Sequence, residues 1–299
     1  MIGRRPLGRT GLEVSVLGFG GAEIGSERVE AATVQRLLLD ALEAGLNVVD
    51  TAECYGESES LIGAALAGRR RDVHLFTKCG HFEGTGRDDW RPASLERSIA
   101  RSLARLRTDH VDLLQLHTCS EDALRRGDVV AVLERARERG QARFVGYSGD
   151  GPAARYAVEC GRFDVLQTSV NVADQEAIEL TIAPARTRGI GVVAKRPIAN
   201  AAWRQGRRPD NPYGHEYWDR LQRLDYAFLR GDAAEGVGVA LRFTAAVPGV
   251  DTLIVGTTRP GRWRENAALL EAGALAPAEY ERIRRRWREV AAASWTGQR

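Results

Sequence analysis

Apolar residues in this chain gather in short blocks separated by longer stretches of helical spacing. Eight β-rich runs recur: "VSVLGFG" (14–20), "LNVVD" (46–50), "VHLFTK" (73–78), "VDLLQLH" (111–117), "ARFVGYS" (142–148), "DVLQTSV" (164–170), "IGVVAK" (190–195) and "DTLIVG" (251–256). Most are nearly continuous in apolar residues rather than alternating, as expected of parallel strands covered on both faces. Between them the period changes. In "SLERSIARSLARL", Leu95, Ile99, Leu103 and Leu106 make one apolar stripe with the arginines facing outward. "TVQRLLLDALEAG" ends on Gly45, and "DVVAVLERARERG" opens on Asp128 and stops at Gly140; both read as helices with a glycine stop.

Strands alternating with helices fit a doubly wound open sheet or a closed barrel. An open dinucleotide-binding sheet begins with G-x-G-x-x-G. Here "GFGG" supplies Gly18 and Gly20 but puts Glu23 where the third glycine belongs. The pattern therefore predicts a (β/α)8 TIM barrel spanning residues 1–299 as a single domain, a size such barrels occupy. The remainder is read as a short N-terminal β-hairpin in "RPLGRTGLEV", turning on Gly8 or Gly11, and a C-terminal helix from about Pro277.

Composition narrows the function classes. A net charge of +3 spread along the chain leaves no footprint for nucleic acid. No apolar run is long enough to span a membrane, and "MIGRRPLGRTG" has no signal-type apolar core, so a cytoplasmic protein is expected. No long exposed apolar stripe demands a partner, which suggests a monomer or small homo-oligomer. Cys54, Cys79, Cys119 and Cys160 lack metal-ligand spacing. Of 43 basic residues only Lys78 and Lys195 are lysine; the other 41 are arginine. A lysine retained in such a chain points to a place where a compact ammonium is needed and a planar fork is not.

Chemistry in a (β/α)8 barrel sits at the C-terminal ends of the strands. Three consecutive runs finish there in an ionisable group: Asp50, Lys78 and His117. Neighbouring strands lie about 5 Å apart, so Asp50 can pair with Lys78 beside His117, while "TAECYGESE" hangs Tyr55 above the same spot. A cation near a phenol lowers its pKa by roughly 1–3 units. For a reaction that reduces a carbonyl, as the resemblance set out next implies, Tyr55 reads as the proton donor, served by Lys78 and Asp50, with a neutral His117 to orient the carbonyl.

The segments "DTAECYGESE", "FTK", "VDLLQLH", "GYS" and "VGTTRPGRWREN" occur in order, one at nearly every strand end, and together the chain resembles the aldo-keto reductases. That resemblance implies an NAD(P)H-dependent oxidoreductase that interconverts an aldehyde or ketone and an alcohol, sugars included, with Asp50, Tyr55, Lys78 and His117 as catalytic tetrad. It implies a cofactor site formed by Gly21, Ser148, Gln167, Lys195, Gly256, Thr257, Thr258, Arg262, Glu265 and Asn266. Thr257 and Arg262 would take an adenosine 2′-phosphate, and Glu265 and Asn266 the adenine. NADPH is therefore expected, with NADH also admitted because Gly256 stands where many members carry a cation. Two further departures are Gly149 in place of an asparagine after Ser148, and Lys195 in place of a stacking aromatic.

Thr257 or Thr258 can cap the following helix, with Pro260 in its first turn. The loops 78–90 and 200–218 bring Trp90, Trp203, Tyr213, Tyr217 and Trp218, expected as an apolar wall around a small carbonyl or sugar substrate. Cys54, Cys79 and Cys119 flank the rim, read first as small, moderately apolar residues that fit there and second as oxidation-sensitive thiols whose pKa values a nearby ammonium lowers. Two other classes share some features: a Schiff-base lyase using Lys78 as nucleophile, and a non-catalytic NADPH-binding regulatory subunit.

Overall fold

The computed structural model describes residues 2–27, 29–81 and 88–298. Residues 82–87, part of the expected loop 78–90, lie outside the described residues. Ten strands form: β1 (Arg4–Pro6), β2 (Glu13–Ser15), β3 (Leu17–Gly20), β4 (Val48–Asp50), β5 (His74–Cys79), β6 (Val111–His117), β7 (Ala142–Ser148), β8 (Val165–Ser169), β9 (Gly191–Lys195) and β10 (Thr252–Gly256). β1 and β2 pair antiparallel as the N-terminal hairpin. The other eight close into a barrel in the order β10-β3-β4-β5-β6-β7-β8-β9, and every pair in it is parallel.

The run 14–20 divides between the hairpin and the barrel. Val14 and Ser15 pair with β1, and the chain turns at Val16 before Leu17 joins β10. The runs ending in His117 and Ser148 form strands over their full predicted lengths. Helices stand where the 3.6-residue period placed them, at Ala31–Glu43, Pro92–Arg105, Asp128–Glu138 and Pro277–Val290. The helix after β10 departs from expectation. It begins at Arg262 behind Gly261, without a side-chain cap, and Thr257 Oγ1 instead accepts the Arg259 N–H at 3.1 Å in a turn ahead of it.

Side-chain alternation along the strands makes two separate cores. Phe76 and Leu113 point into the barrel with Val48, Val165, Val193 and Ile254. Leu75, Leu114 and Leu116 point outward, into the layer shared with the helices, where Leu95 and Ile99 meet them. The hairpin belongs to the inner core. Leu7, Leu12 and Val14 fill the N-terminal end of the barrel, so the hairpin acts as its floor. Its turn approaches β9 closely: Arg9 N–H donates to Gly189 O at 2.8 Å, and Gly8 N–H to Asp251 Oδ2 at 3.1 Å. Gly8 has φ +49, and a Cβ there would lie 2.2 Å from the Gly191 nitrogen, so no other residue fits.

With the floor filled, the open end is the one where Asp50, Lys78 and His117 stand. Leu7 is fully buried in that plug. Leu7→Ala is expected to cost about 2–5 kcal/mol in denaturant unfolding, and a loss under 1 kcal/mol would show that the hairpin is not part of the folded core.

Candidate active site

Asp50 ends β4 and Lys78 stands one residue before the end of β5, and the register places these neighbours at the same rim. Lys78 Nζ donates to Asp50 Oδ2 at 2.6 Å and to the Thr51 carbonyl at 2.8 Å, and both side chains are 2% exposed. Burial pushes the Asp50 carboxyl up, and the Lys78 charge pulls it back. Gln115, next along the rim on β6, turns its Nε2 to Asp50 Oδ1 at 3.5 Å. The ammonium is therefore fixed from two sides before any ligand arrives.

The loop after β4 carries Tyr55 over this pair. Thr51 N–H donates to Phe76 O and Glu53 N–H to Lys78 O, which ties the loop to β5. Glu53 is buried on Ser98 and Arg101 of the helix Pro92–Arg105. Thr51 and Ser58 share a hydroxyl hydrogen bond at 2.9 Å that closes the loop. Lys78 Nζ lies 5.2 Å from the Tyr55 ring centroid. His117, at the end of β6, meets the Tyr55 ring edge-on at 5.8 Å. Its Nδ1 faces the Cys54 thiol at 3.5 Å, and among the described residues Nε2 and the Tyr55 hydroxyl have no hydrogen-bond partner.

The electrostatics correct one expectation. Tyr55 is held well above the ordinary phenol range by burial and then by the Asp50 charge. Burial of the ring is the main cause, and the Asp50 carboxylate, which Lys78 binds at 2.6 Å, adds to it. His117 is held well below the usual imidazole range by burial and by the Lys78 charge, and so is neutral at physiological pH. Of the two readings of the cysteines, the electrostatics oppose the acidic-thiol one. Burial pushes Cys54 up to about 11 and Cys119 up to about 12, and Cys79 higher again, so these thiols resist ionisation. Cys79 faces the outer core, on the opposite side of β5 from Lys78.

Asp50, Tyr55, Lys78 and His117 line one cavity of about 380 Å³ together with Ser148, Gln167, Lys195 and Arg196. The cavity continues into a cleft of about 660 Å³ lined by Gly21, Gly256, Thr257, Thr258, Arg262 and Asn266. Glu265 is absent from that lining and instead pairs with Arg262 at 3.1 Å and Arg259 at 3.3 Å. Lys195 lines both the cavity and the cleft, and its charge is paired with Asp150 at 2.8 Å. Gly256 has a carboxylate in place of a side chain: a Cβ there would lie 1.5 Å from Glu23 Oε2.

Three atoms lining the cavity suit an absent ligand. Ser148 Oγ and both polar atoms of the Gln167 amide, which lies close to Asp50, are buried without a well-formed hydrogen bond among the described residues. Buried polar atoms are nearly always satisfied, so a planar group with both a donor and an acceptor fits here. The carboxamide of a nicotinamide is such a group.

Of the aromatic residues expected around the mouth, Tyr213 remains exposed and lines the cleft. Trp203 and Tyr217 are core residues instead. Tyr217 lies within the helix His215–Leu224 and donates to Asp174 Oδ2 at 3.1 Å. Trp90 packs edge-on against His81, whose Nε2 lies 2.5 Å from Thr118 Oγ1. Sequence reasoning missed His81, Asp150 and Arg196. The only sequence signal for them was position, a few residues past a strand end.

The sequence model of the Aldo/keto reductase family matches residues 16–288. The chain is 27% identical to the uncharacterised oxidoreductase YqkF of Bacillus subtilis, covering 94% of this chain and 95% of that protein. It is 28% identical to L-galactose dehydrogenase of Arabidopsis thaliana, over 88% of this chain and 86% of that one. Among solved structures, the holo form of the aldo-keto reductase AKR11C1 from Bacillus halodurans superposes with a TM-score of 0.84 at 26% identity, covering 98% of each chain. With a family match over most of its length and a barrel of the same form, the chain belongs to the aldo/keto reductase family.

Proposed function

We propose that this chain reduces the carbonyl group of a small aldehyde or ketone to an alcohol, or runs the reverse oxidation, with Tyr55 as proton donor. The observation that carries the reading is the free Tyr55 hydroxyl and free His117 Nε2 at one cavity, above a Lys78–Asp50 pair and beside the unsatisfied Ser148 and Gln167. When bound, a nicotinamide dinucleotide supplies or accepts the hydride. The Ser148 hydroxyl and Gln167 amide would hold its carboxamide, and Thr257, Arg262 and Asn266 its adenosine end.

The rest is work for the chain's own groups. Neutral His117 donates a hydrogen bond to the carbonyl oxygen and sets its direction. Tyr55 gives its phenolic proton to that oxygen as the carbonyl carbon gains hydrogen, and the phenolate is later reprotonated from solvent. A high resting pKa suits this role, because it keeps the proton on Tyr55 until an alkoxide, a far stronger base, begins to form. Lys78 then matters at the moment negative charge appears on the phenol, and Asp50 keeps the ammonium in position. The same pair opposes the Schiff-base reading, since a lysine nucleophile must be a neutral amine and Lys78 Nζ is bound to a carboxylate. A binding subunit without turnover has no use for a free, positioned Tyr55 hydroxyl.

We infer NADPH as the preferred partner with NADH accepted. Arg262 and Thr257 suit a 2′-phosphate, while the Glu23 carboxylate over Gly256 repels one. The two influences oppose each other and leave weak discrimination.

Tyr55→Phe is expected to lower kcat by roughly 10²–10⁴, as for loss of a general acid, with nucleotide affinity retained in a fluorescence titration; near-normal kcat on a carbonyl panel would overturn the assignment. Lys78→Arg should fold yet turn over at a small fraction of the wild-type rate, because a guanidinium cannot occupy the ammonium's seat between Asp50 and the Thr51 carbonyl. Glu23→Gln should shift the ratio of NADPH to NADH affinity several-fold towards NADPH, and an unchanged ratio would remove Glu23 from cofactor choice.

A further inference from the structure

The cations of the cavity fall into two kinds. Lys78 is paired with Asp50, and Lys195 with Asp150. Arg196, the residue after β9, is different. Its Nε donates to Tyr213 Oη at 2.6 Å, and its Nη1 to Ser169 Oγ at 2.7 Å and to the Gln298 carbonyl at 2.8 Å. All three partners are neutral, and Nη2 has none among the described residues. Asp150 lies nearby but is already engaged by Lys195, by Ser169 N–H at 2.6 Å and by Thr168 Oγ1 at 2.8 Å, and forms no ion pair with Arg196.

The charge is half-buried and held in place. Arg196 adopts φ +56, a left-handed conformation that a side chain of this size rarely takes, and its carbonyl accepts the Asn171 side-chain N–H at 3.0 Å. It lines the cavity that Tyr55 and His117 line, and its charge is felt at both, behind the larger effect of burial. The opposite wall offers no such unpaired cation among the described residues. His81, just past β5, pairs with Asp88, and β5 stands four strands from β9 in the ring of eight. A half-buried guanidinium with neutral partners is stabilised by an incoming oxyanion, and a fork of this type binds carboxylates well.

We propose that Arg196 is a carboxylate seat, and that the substrates of this chain are small aldehydes or ketones that also carry a carboxylate. This rests on the reductase reading above. The reacting carbonyl lies at Tyr55 and His117 while the carboxylate turns to Arg196 Nη2, away from Asp88. The competing oxyanion is the cofactor's pyrophosphate, since Arg196 also borders the nucleotide cleft. Arg204 offers that group a better cation: it lines the cleft but not the cavity, is exposed and has no carboxylate partner among the described residues.

The test compares 4-carboxybenzaldehyde with its neutral methyl ester in wild type, Arg196→Gln and Arg196→Lys. Wild type should favour the carboxylate, and Arg196→Gln should lower the acid-to-ester ratio of kcat/KM by ~10- to 100-fold through KM, the size expected for losing a charge-assisted contact. Arg196→Lys should restore part of the ratio. Nucleotide affinity, read from tryptophan fluorescence, should move far less. An unchanged ratio overturns the proposal, and so does a tenfold or greater loss of nucleotide affinity with both aldehydes falling together, which would assign Arg196 to the pyrophosphate. If wild type reduces neither aldehyde, the reductase reading fails first. Calorimetric binding of terephthalate to wild type and Arg196→Gln then still decides the seat: tenfold weaker binding in the variant supports it, and equal binding overturns it.

Discussion

An ammonium at 2% exposure in the mouth of a barrel is the constraint around which the rest is arranged. Taking such a charge out of water costs several kcal/mol unless a counter-charge and further acceptors meet it. Asp50 and the Thr51 carbonyl meet those needs for Lys78, and each demands something of the backbone. Asp50 must end β4 in register with β5, and Thr51 must turn its carbonyl inward, which directs the following loop across the rim. Tyr55 is carried into place by that turn. The position of Tyr55, the proposed proton donor, is thus a by-product of satisfying the cation.

Burial is the first reason why the phenol is less acidic than a nearby lysine alone would make it, and the Asp50 carboxylate that holds the lysine adds to the effect. Lowering of the phenol pKa is therefore not the way the resting site is poised. In the proposed reaction, stabilisation of charge comes when charge appears, in the manner of a preorganised site that favours the transition state over the ground state.

Much of the barrel could be read from the chain because its strands are short apolar runs that end in polar residues. His117 and Ser148 mark such ends without ambiguity. The first run misled, since 14–20 holds one polar residue, Ser15, and the pairing of Ser15 with Arg4 shows that the hairpin stops there. Tyr217 misled in another way. Gly, Pro and Asn around it signal a loop, yet from His215 onward the residues form a helix that buries its ring. At the site, Asp50, Lys78 and His117 were legible because strand alternation and a common rim place them with no further information. Arg196 and Glu23 were not. One depends on a left-handed backbone, the other on a glycine opposite it, and neither leaves a periodic trace. The thiols beside Lys78 show the limit of adjacency in sequence, because Cys79 follows the lysine yet faces the opposite layer.

The hairpin floor and the C-terminal segment lie at opposite ends of the molecule. Ile2 belongs to the core beside β3, near the closed face, while the Gln298 carbonyl is bound by Arg196 at the open one. A purification handle or surface tether placed ahead of residue 2 would leave the solvent route to the cavity clear. The same handle joined after residue 298 would emerge at its threshold, so the choice of terminus decides whether an assay measures the enzyme or its attachment.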